Sequence, residues 1–355
     1  MANIFDHVDP FDILVVDIFY LIEQHLDIND MKKASEVSFN WNDVILSGSW
    51  MKKTQLRIFD DNEALNVISK SRRHYSNIFF ECSERLLDFQ KHHEILSKLS
   101  DSIKHLKLNQ LSDQFKFDGI RFKKLSSLDI GWMTPTHCIE DIFRNSIDQD
   151  LTTLRFDNDA YEALEIFLKN NRKLKKLTLD GAAKFILKKE DISTLENLDL
   201  KTLRIGHLTE RDLEDEVLKS NVIRFLSSQE ETLKQAGVNT THPEIILKIM
   251  SLPKLECVEL HVKTVSQVEL LPMKAFKMAK ISAKDDEVMT VILKRLPNLQ
   301  ELFVPNLTNG TFASIVKTAR CLEKLKYTGS LNLKNVYEEL KSTEGNINRK
   351  IQLKR

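Results

Sequence analysis

A six-residue pattern, apolar-x-x-apolar-x-apolar, returns along this chain at near-regular intervals and constrains the fold more than any other feature of the sequence. It reads LSSLDI from residue 125, LTTLRF from 151, LKKLTL from 174 and LKTLRI from 200. It continues as TLKQAGV from 232, LECVEL from 255, MAKISA from 278, LQELFV from 299 and LEKLKY from 322. Indexed by its fourth position, the series runs Leu106, Leu128, Leu154, Leu177, Leu203, Ala236, Val258, Ile281, Leu302 and Leu325, with gaps of 21 to 33 residues. YSNIFF and KTQLRI extend it back through Ile78 to Leu56, and NRKIQL extends it forward to Ile351.

Between the copies lie HCIEDIFRNSI, AYEALEIFLKNN, EVLKSNVIRFLSS, PEIILKIMS, DEVMTVILKRL, TFASIVKTA and LKNVYEELKS, whose apolar residues fall at helical spacing. Pro243 is placed to open one of these helices and Asp285 to cap another. A single strand and helix cannot enclose a core, so each unit must stack on its neighbours. The expected fold class is α/β: a curved solenoid with a parallel sheet on the concave face and helices on the convex face. With nine glycines and seven prolines in 355 residues, a β-sandwich built on tight hairpins is disfavoured. A doubly wound fold is disfavoured too, because no glycine-rich phosphate loop follows a strand.

The repeats resemble the leucine-rich-repeat family, whose core reads L-x-x-L-x-L-x-x-N/C-x-L. The resemblance covers roughly residues 53–355, about 12–13 repeats. The ninth position departs from it, holding Leu111, Met133, Asp159, Ala182, Leu208, Lys263 or Leu307. An Asn there would satisfy buried backbone groups at the turn, so this chain must do so by other means.

Residues 1–52 do not follow the repeat. Leu14, Ile18, Ile22 and Leu26 form an i+4 stripe, reinforced by Val15 and Phe19, which predicts an amphipathic helix. After Asn29 or Asp30 as cap, a second helix carries Met31, Ala34, Val37 and Trp41 on one side. A third short stretch brings Val44, Ile45 and Leu46 before Ser47-Gly48-Ser49 ends it, close to Trp50. Three such helices make a small core that needs further cover.

The order of these residues resembles an F-box, which opens L-P-x-E-hydrophobic and runs through I-x-x-x-L, D-L and V-C-x-x-W to a later L-W. Here Leu14-Val15-Val16-Asp17-Ile18 takes the opening, Ile22 and Leu26 the helix, Asp30-Met31 the D-L, Val37 to Trp41 the V-C-x-x-W and Ser49-Trp50 the L-W. Val15, Asp17 and Ser38 stand where the family has proline, glutamate and cysteine. An F-box followed by leucine-rich repeats implies a non-catalytic substrate receptor of a Skp-cullin-F-box ubiquitin ligase. In that reading Leu14, Val15, Ile18, Ile22, Leu26, Met31, Val37, Trp41 and Trp50 dock a Skp-type adaptor. The adaptor reaches cullin and RING subunits, and the repeats present a protein substrate. The alternative is a leucine-rich adaptor or inhibitor whose N-terminal helices only cap the solenoid.

Composition narrows the other classes. Lys+Arg and Asp+Glu both number 52, so no basic field favours nucleic acid as the main partner. Cys82, Cys138, Cys257 and Cys321 form no CxxC or Cys/His cluster and predict reduced thiols in the cytoplasm or nucleus. MANIFDHVDP lacks the marks of a secretory signal, and FDILVVDIFYLI is too short and too acidic to span a bilayer. No GxSxG, HExxH or P-loop appears, so no catalytic residue and no cofactor is expected. His92 and His93 read as surface histidines rather than metal ligands, and KSRRHY at 70–75 as a solvated loop.

Because strand side chains alternate, positions three, five and seven of the motif should face the concave side. The fifth position supplies Lys107, Asp129, Arg155, Thr178, Arg204, Gly237, Glu259, Ser282, Phe303 and Lys326. His105, Asp157, Asp180, His261, Lys280, Lys284 and Glu301 occupy the flanking columns. The candidate substrate-binding residues are Lys107, Asp129, Arg155, Arg204, Glu259, His261, Lys280, Lys284, Phe303 and Lys326, with Phe303 as an aromatic anchor.

Overall fold

The computed structural model describes residues 54–59, 61–71, 75–82, 89–146, 151–181, 183–206, 208–209, 211–240, 242–262, 276–283, 285–328 and 352–354, together with Asp30, Lys33 and Glu36. The chain divides into two compact units, Met1–Leu151 and Thr152–Arg355. The expected boundary at 52/53 lies outside the described residues.

In the first unit β1 (Gln55–Ile58), α1 (Asn62–Lys70), β2 (Asn77–Cys82), α2 (Phe89–Leu99), β3 (His105–Leu111), β4 (Ser127–Ile130) and α3 (Thr136–Ser146) follow in order. The strands are parallel, and one rung runs Leu56–Ile78–Leu106–Leu128, the fourth positions of four successive motifs. The β3-to-β4 crossover has no helix. Instead Phe115, Phe117 and Phe122, all buried, meet edge-on at centroid distances of 4.9 and 6.1 Å and fill the space a helix would take.

The second unit begins with β5 (Thr153–Phe156), α4 (Tyr161–Asn170), β6 (Lys176–Leu179), α5 (Ala183–Leu187), α6 (Ser193–Glu196) and β7 (Thr202–Ile205). A 3-10 turn (Asp212–Glu214), α7 (Glu216–Ser228), β8 (Gln235–Val238), α8 (Pro243–Ser251), β9 (Cys257–Val262) and β10 (Met278–Ala283) come next. Then follow α9 (Asp286–Arg295), β11 (Glu301–Val304), α10 (Asn309–Thr318), β12 (Lys324–Tyr327) and β13 (Gln352–Lys354). Every described strand pair in this unit is parallel, and the fourth-position rung runs Leu154–Leu177–Leu203–Ala236–Val258–Ala279–Leu302–Leu325–Leu353.

That rung corrects two sequence assignments. Ile281 is not a fourth position but a sixth, opposite Leu260, and the fourth is Ala279. Phe276, fully buried, takes the first position, so a large ring is followed by a small methyl where the pattern had suggested Met278 and Ile281. The shift of two residues keeps side chains on the same face but moves Lys280 into the fifth column, beside Glu259 and Phe303, and Ser282 out to the seventh, beside His261. Likewise Leu353, not Ile351, pairs with Leu325.

Even positions and the apolar stripes of the helices make the core. Leu154, Phe156, Leu177 and Leu179 are all fully buried, as are Leu164 and Leu187 on α4 and α5. Truncating one such leucine to alanine costs about 2–5 kcal/mol. The helices begin where the sequence places them: Asp285 accepts from Val288 N at 3.0 Å, and Pro243 sits in the first turn of α8.

After β5 the buried Asn158 Oδ1 accepts from Ala160 N at 3.0 Å, whereas three other turns close through the main chain. Leu111 N donates to Met133 O at 3.2 Å, Leu208 N to Asn239 O at 3.0 Å and Leu307 N to Thr328 O at 2.8 Å, each joining adjacent repeats. At Gly206 a Cβ would lie 2.7 Å from Asp180 Cα, so only glycine permits that approach. His92 departs from its expected surface position: it is 1% exposed on α2 and edge-on to Phe80 at 5.8 Å. Its neighbour His93 is half-buried, with Nε2 2.8 Å from Asp118 O. Arg72, Arg73 and His74 of KSRRHY lie outside the described residues, and Lys70 ends α1.

Candidate partner-binding face of the sheet

Most strands alternate in burial, β2 at Phe79 and β8 at Gly237 excepted, and the odd positions form a largely polar face on each unit. In the first unit the fifth column reads Arg57, Phe79, Lys107 and Asp129. Arg57 Cζ and Lys107 Nζ lie 4.9 and 5.5 Å from the Phe79 ring centroid, and Lys107 Nζ is 3.7 Å from Asp129 Oδ2. Arg57 and Phe79 belong to this column although the sequence reading began it at Lys107; carrying the fifth position back through KTQLRI and YSNIFF finds them. Burial, and after it the Lys104 charge, holds the His105 imidazole below its usual pKa, so it is neutral at pH 7.

In the second unit Arg155 Nε donates to Asp180 Oδ2 at 2.7 Å across adjacent strands. The next arrangement depends on a missing side chain. Gly237 stands between Arg204 and Glu259 in the fifth column, and a Cβ there would lie 2.8 Å from Glu259 Cβ. With that space empty, Glu259 leans across β8 and Arg204 reaches it from two strands away, Nη2 to Oε2 at 3.4 Å. On its other side Glu259 accepts from Lys280 of β10, and His261 Nε2 lies 3.6 Å from Oε1, an electrostatic contact rather than a hydrogen bond.

Burial pushes the Glu259 pKa up, but His261, Lys280 and Arg204 together outweigh it and bring it down to about 2. Glu259 is therefore a fixed negative centre that organises three basic groups. Glu301 plays a similar part: it accepts from Lys324 at 3.2 Å, lies 3.5 Å from Lys326 and titrates below the usual range because of those lysines. Phe303, on β11, is half-buried with Lys280 Nζ 5.9 Å from its centroid, and Met278 is 42% exposed one strand away.

The structure thus brings Arg204, Glu259, His261, Lys280, Phe303 and Lys326 into one patch, keeps Arg155 with Asp180, and pairs Lys107 with Asp129 in the first unit. Lys324, on a third position, was missed by reading chiefly down the fifth column, and Met278 because MAKISA had placed it at the buried first position instead of the third. Lys284 lies outside the described residues. So do Leu14, Val15, Ile18, Ile22, Leu26, Met31, Val37, Trp41 and Trp50. Asp30, Lys33 and Glu36 are helical and exposed.

One pair invites a catalytic reading and does not sustain it. Cys138 Sγ lies 3.4 Å from His137 Nε2, but the thiol donates to Phe115 O. Burial, then Asp141 and Asp113, pushes its pKa up to about 12, the opposite of an activated nucleophile. A recess of about 270 Å³ beside the end of α4 is lined by Lys169, Arg172, Ser193, Thr194 and Asn197, with Lys169 held by Glu165 at 3.0 Å. Among the described residues no three His, Cys, Asp or Glu side chains group as metal ligands, and no helix is long and apolar enough to cross a membrane.

No protein-family model matches this sequence, and no curated protein matches it. Function has to be argued from the residues and the fold.

Proposed function

We propose that this chain is the substrate-recognition subunit of a Skp-cullin-F-box ubiquitin ligase, with residues 1–52 docking a Skp-type adaptor and the sheet face holding a protein substrate. The observation that carries this reading is the ordered series Leu14, Ile18, Ile22, Leu26, Met31, Val37, Trp41 and Trp50, leading directly into in-register parallel repeats. Asp30, Lys33 and Glu36 are helical, which agrees with a helix in that part of the series. Such a receptor works by proximity: it raises the effective concentration of substrate lysines near a ubiquitin thioester and needs no catalytic group of its own.

Co-expression of the full chain with a Skp-type adaptor tests the reading. A stable complex is expected, and Ile18→Asp with Leu26→Asp should weaken it by roughly tenfold or more, since each buries a charge in an apolar contact. The melting of the repeats should be unchanged. Absence of wild-type binding at micromolar concentrations would refute adaptor docking and leave a partner-binding repeat protein without a ligase.

A further inference from the structure

We infer that the face of β7–β12 takes an acidic peptide segment with an apolar side chain among its carboxylates. Phe303 and Met278 receive the apolar group, and Arg204, Lys280, Lys324 and Lys326 receive the acids. This deepens the reading of the sheet face as a partner surface and is independent of adaptor docking.

Charge carries the argument. Among the described odd positions of β7–β12, four cations stand against two carboxylates, Glu259 and Glu301. Both carboxylates are already shared, Glu259 between Lys280 and Arg204 and Glu301 between Lys324 and Lys326. Depth points the same way around Glu259, 16% exposed against 42% for Arg204 and 33% for Lys280; beside Glu301, 32% exposed, Lys326 stands out at 45% while Lys324 is at 25%. An approaching carboxylate meets ammonium and guanidinium groups first, and a lysine bound to one acceptor keeps further N–H donors. The Arg204 Nε, buried with no acceptor, is one more donor without a partner.

The apolar requirement comes from Met278 and Phe303, one strand and one register step apart at the middle of this cationic frame. A purely acidic segment leaves them against water, and a basic one meets four like charges. A nucleic-acid strand fits less well, because two ionised glutamates stand within the patch, Glu259 at its floor and Glu301 between its lysines. Five inter-strand steps span roughly 24 Å, which about eight extended residues cover.

The test is fluorescence anisotropy of the full chain with labelled peptides of about that length. One carries glutamates around a central Phe, one replaces the glutamates by lysine and one replaces the Phe by Ser. The acidic Phe peptide should bind roughly tenfold tighter than either control, and weaken as salt rises from about 50 to 300 mM. Lys280→Gln with Lys326→Gln should weaken it roughly tenfold, with thermal unfolding checked for both variants. Glu301→Gln should tighten it, an outcome that misfolding cannot imitate. Equal affinity for all three peptides, weaker binding by Glu301→Gln, or equal affinity for an RNA oligonucleotide would overturn the proposal. Failure of adaptor docking would leave these results standing.

Discussion

Glu259 is reached by a histidine from its own strand, a lysine from the next strand and an arginine from two strands away. Its pKa of about 2 lies below the ordinary 4.5, so protonation favours the unfolded chain. The stability it contributes is present above pH 4.5 and is lost as pH falls toward 2. Glu259→Gln, which leaves two cations facing each other, should cost about 2 kcal/mol at pH 7. In denaturant titrations from pH 7 to pH 3, the gap between wild type and variant should narrow below pH 4.5. A gap that stays constant with pH would show that the charge is not the cause. At this scale the sequence was partly legible: strict alternation of side chains placed Arg204, Glu259 and Phe303 on the right face without any contact being known. The arginine–glutamate pair was not legible, because a glycine between two charged positions reads as a blank rather than as a passage.

The elements follow from the same alternation plus capping. Helices with strong apolar spacing, such as Glu216–Ser228 and Pro243–Ser251, coincide with the segments read from the sequence. Four helices were not foreseen: Ala183–Leu187 and Ser193–Glu196, only five and four residues long, and two longer ones. The first of the longer pair, Asn62–Lys70, buries only Leu65 and so offers little core to be read from. The second, Phe89–Leu99, places His92 where the pattern calls for a hydrocarbon, which hid its buried stripe of His92, Ile95, Leu96 and Leu99. The two-residue displacement at β10 has a similar origin, since Ala279 is too small to look like a core position. Capping makes an element-scale prediction: Asp285→Ala removes the acceptor for Val288 N and should lower stability by about 1 kcal/mol. Asp285→Asn should retain most of it. Chemical denaturation of the two variants measures the difference, and equal losses would mean that the cap hydrogen bond contributes little.

For the molecule, the period of the motif was enough to predict parallel strands alternating with helices, and the register bears out the parallel strands within each unit. What the period does not encode is the partner, because the odd positions that would contact it have no role in the core and so follow no pattern. Stacked repeats ordinarily share free energy only with their immediate neighbours, so that each unit senses the next and no further. The ion pair from Arg204 on β7 to Glu259 on β9 breaks that rule locally, since no backbone hydrogen bond joins those strands and β8 lies between them. A double-mutant cycle with Arg204→Ala and Glu259→Ala should give a coupling of about 0.5–1 kcal/mol, and Arg155→Ala with Glu259→Ala should give none. The absence of a side chain at Gly237 thereby lengthens the range of cooperativity: three successive repeats are made to open and close together, and fraying from either end should pause there.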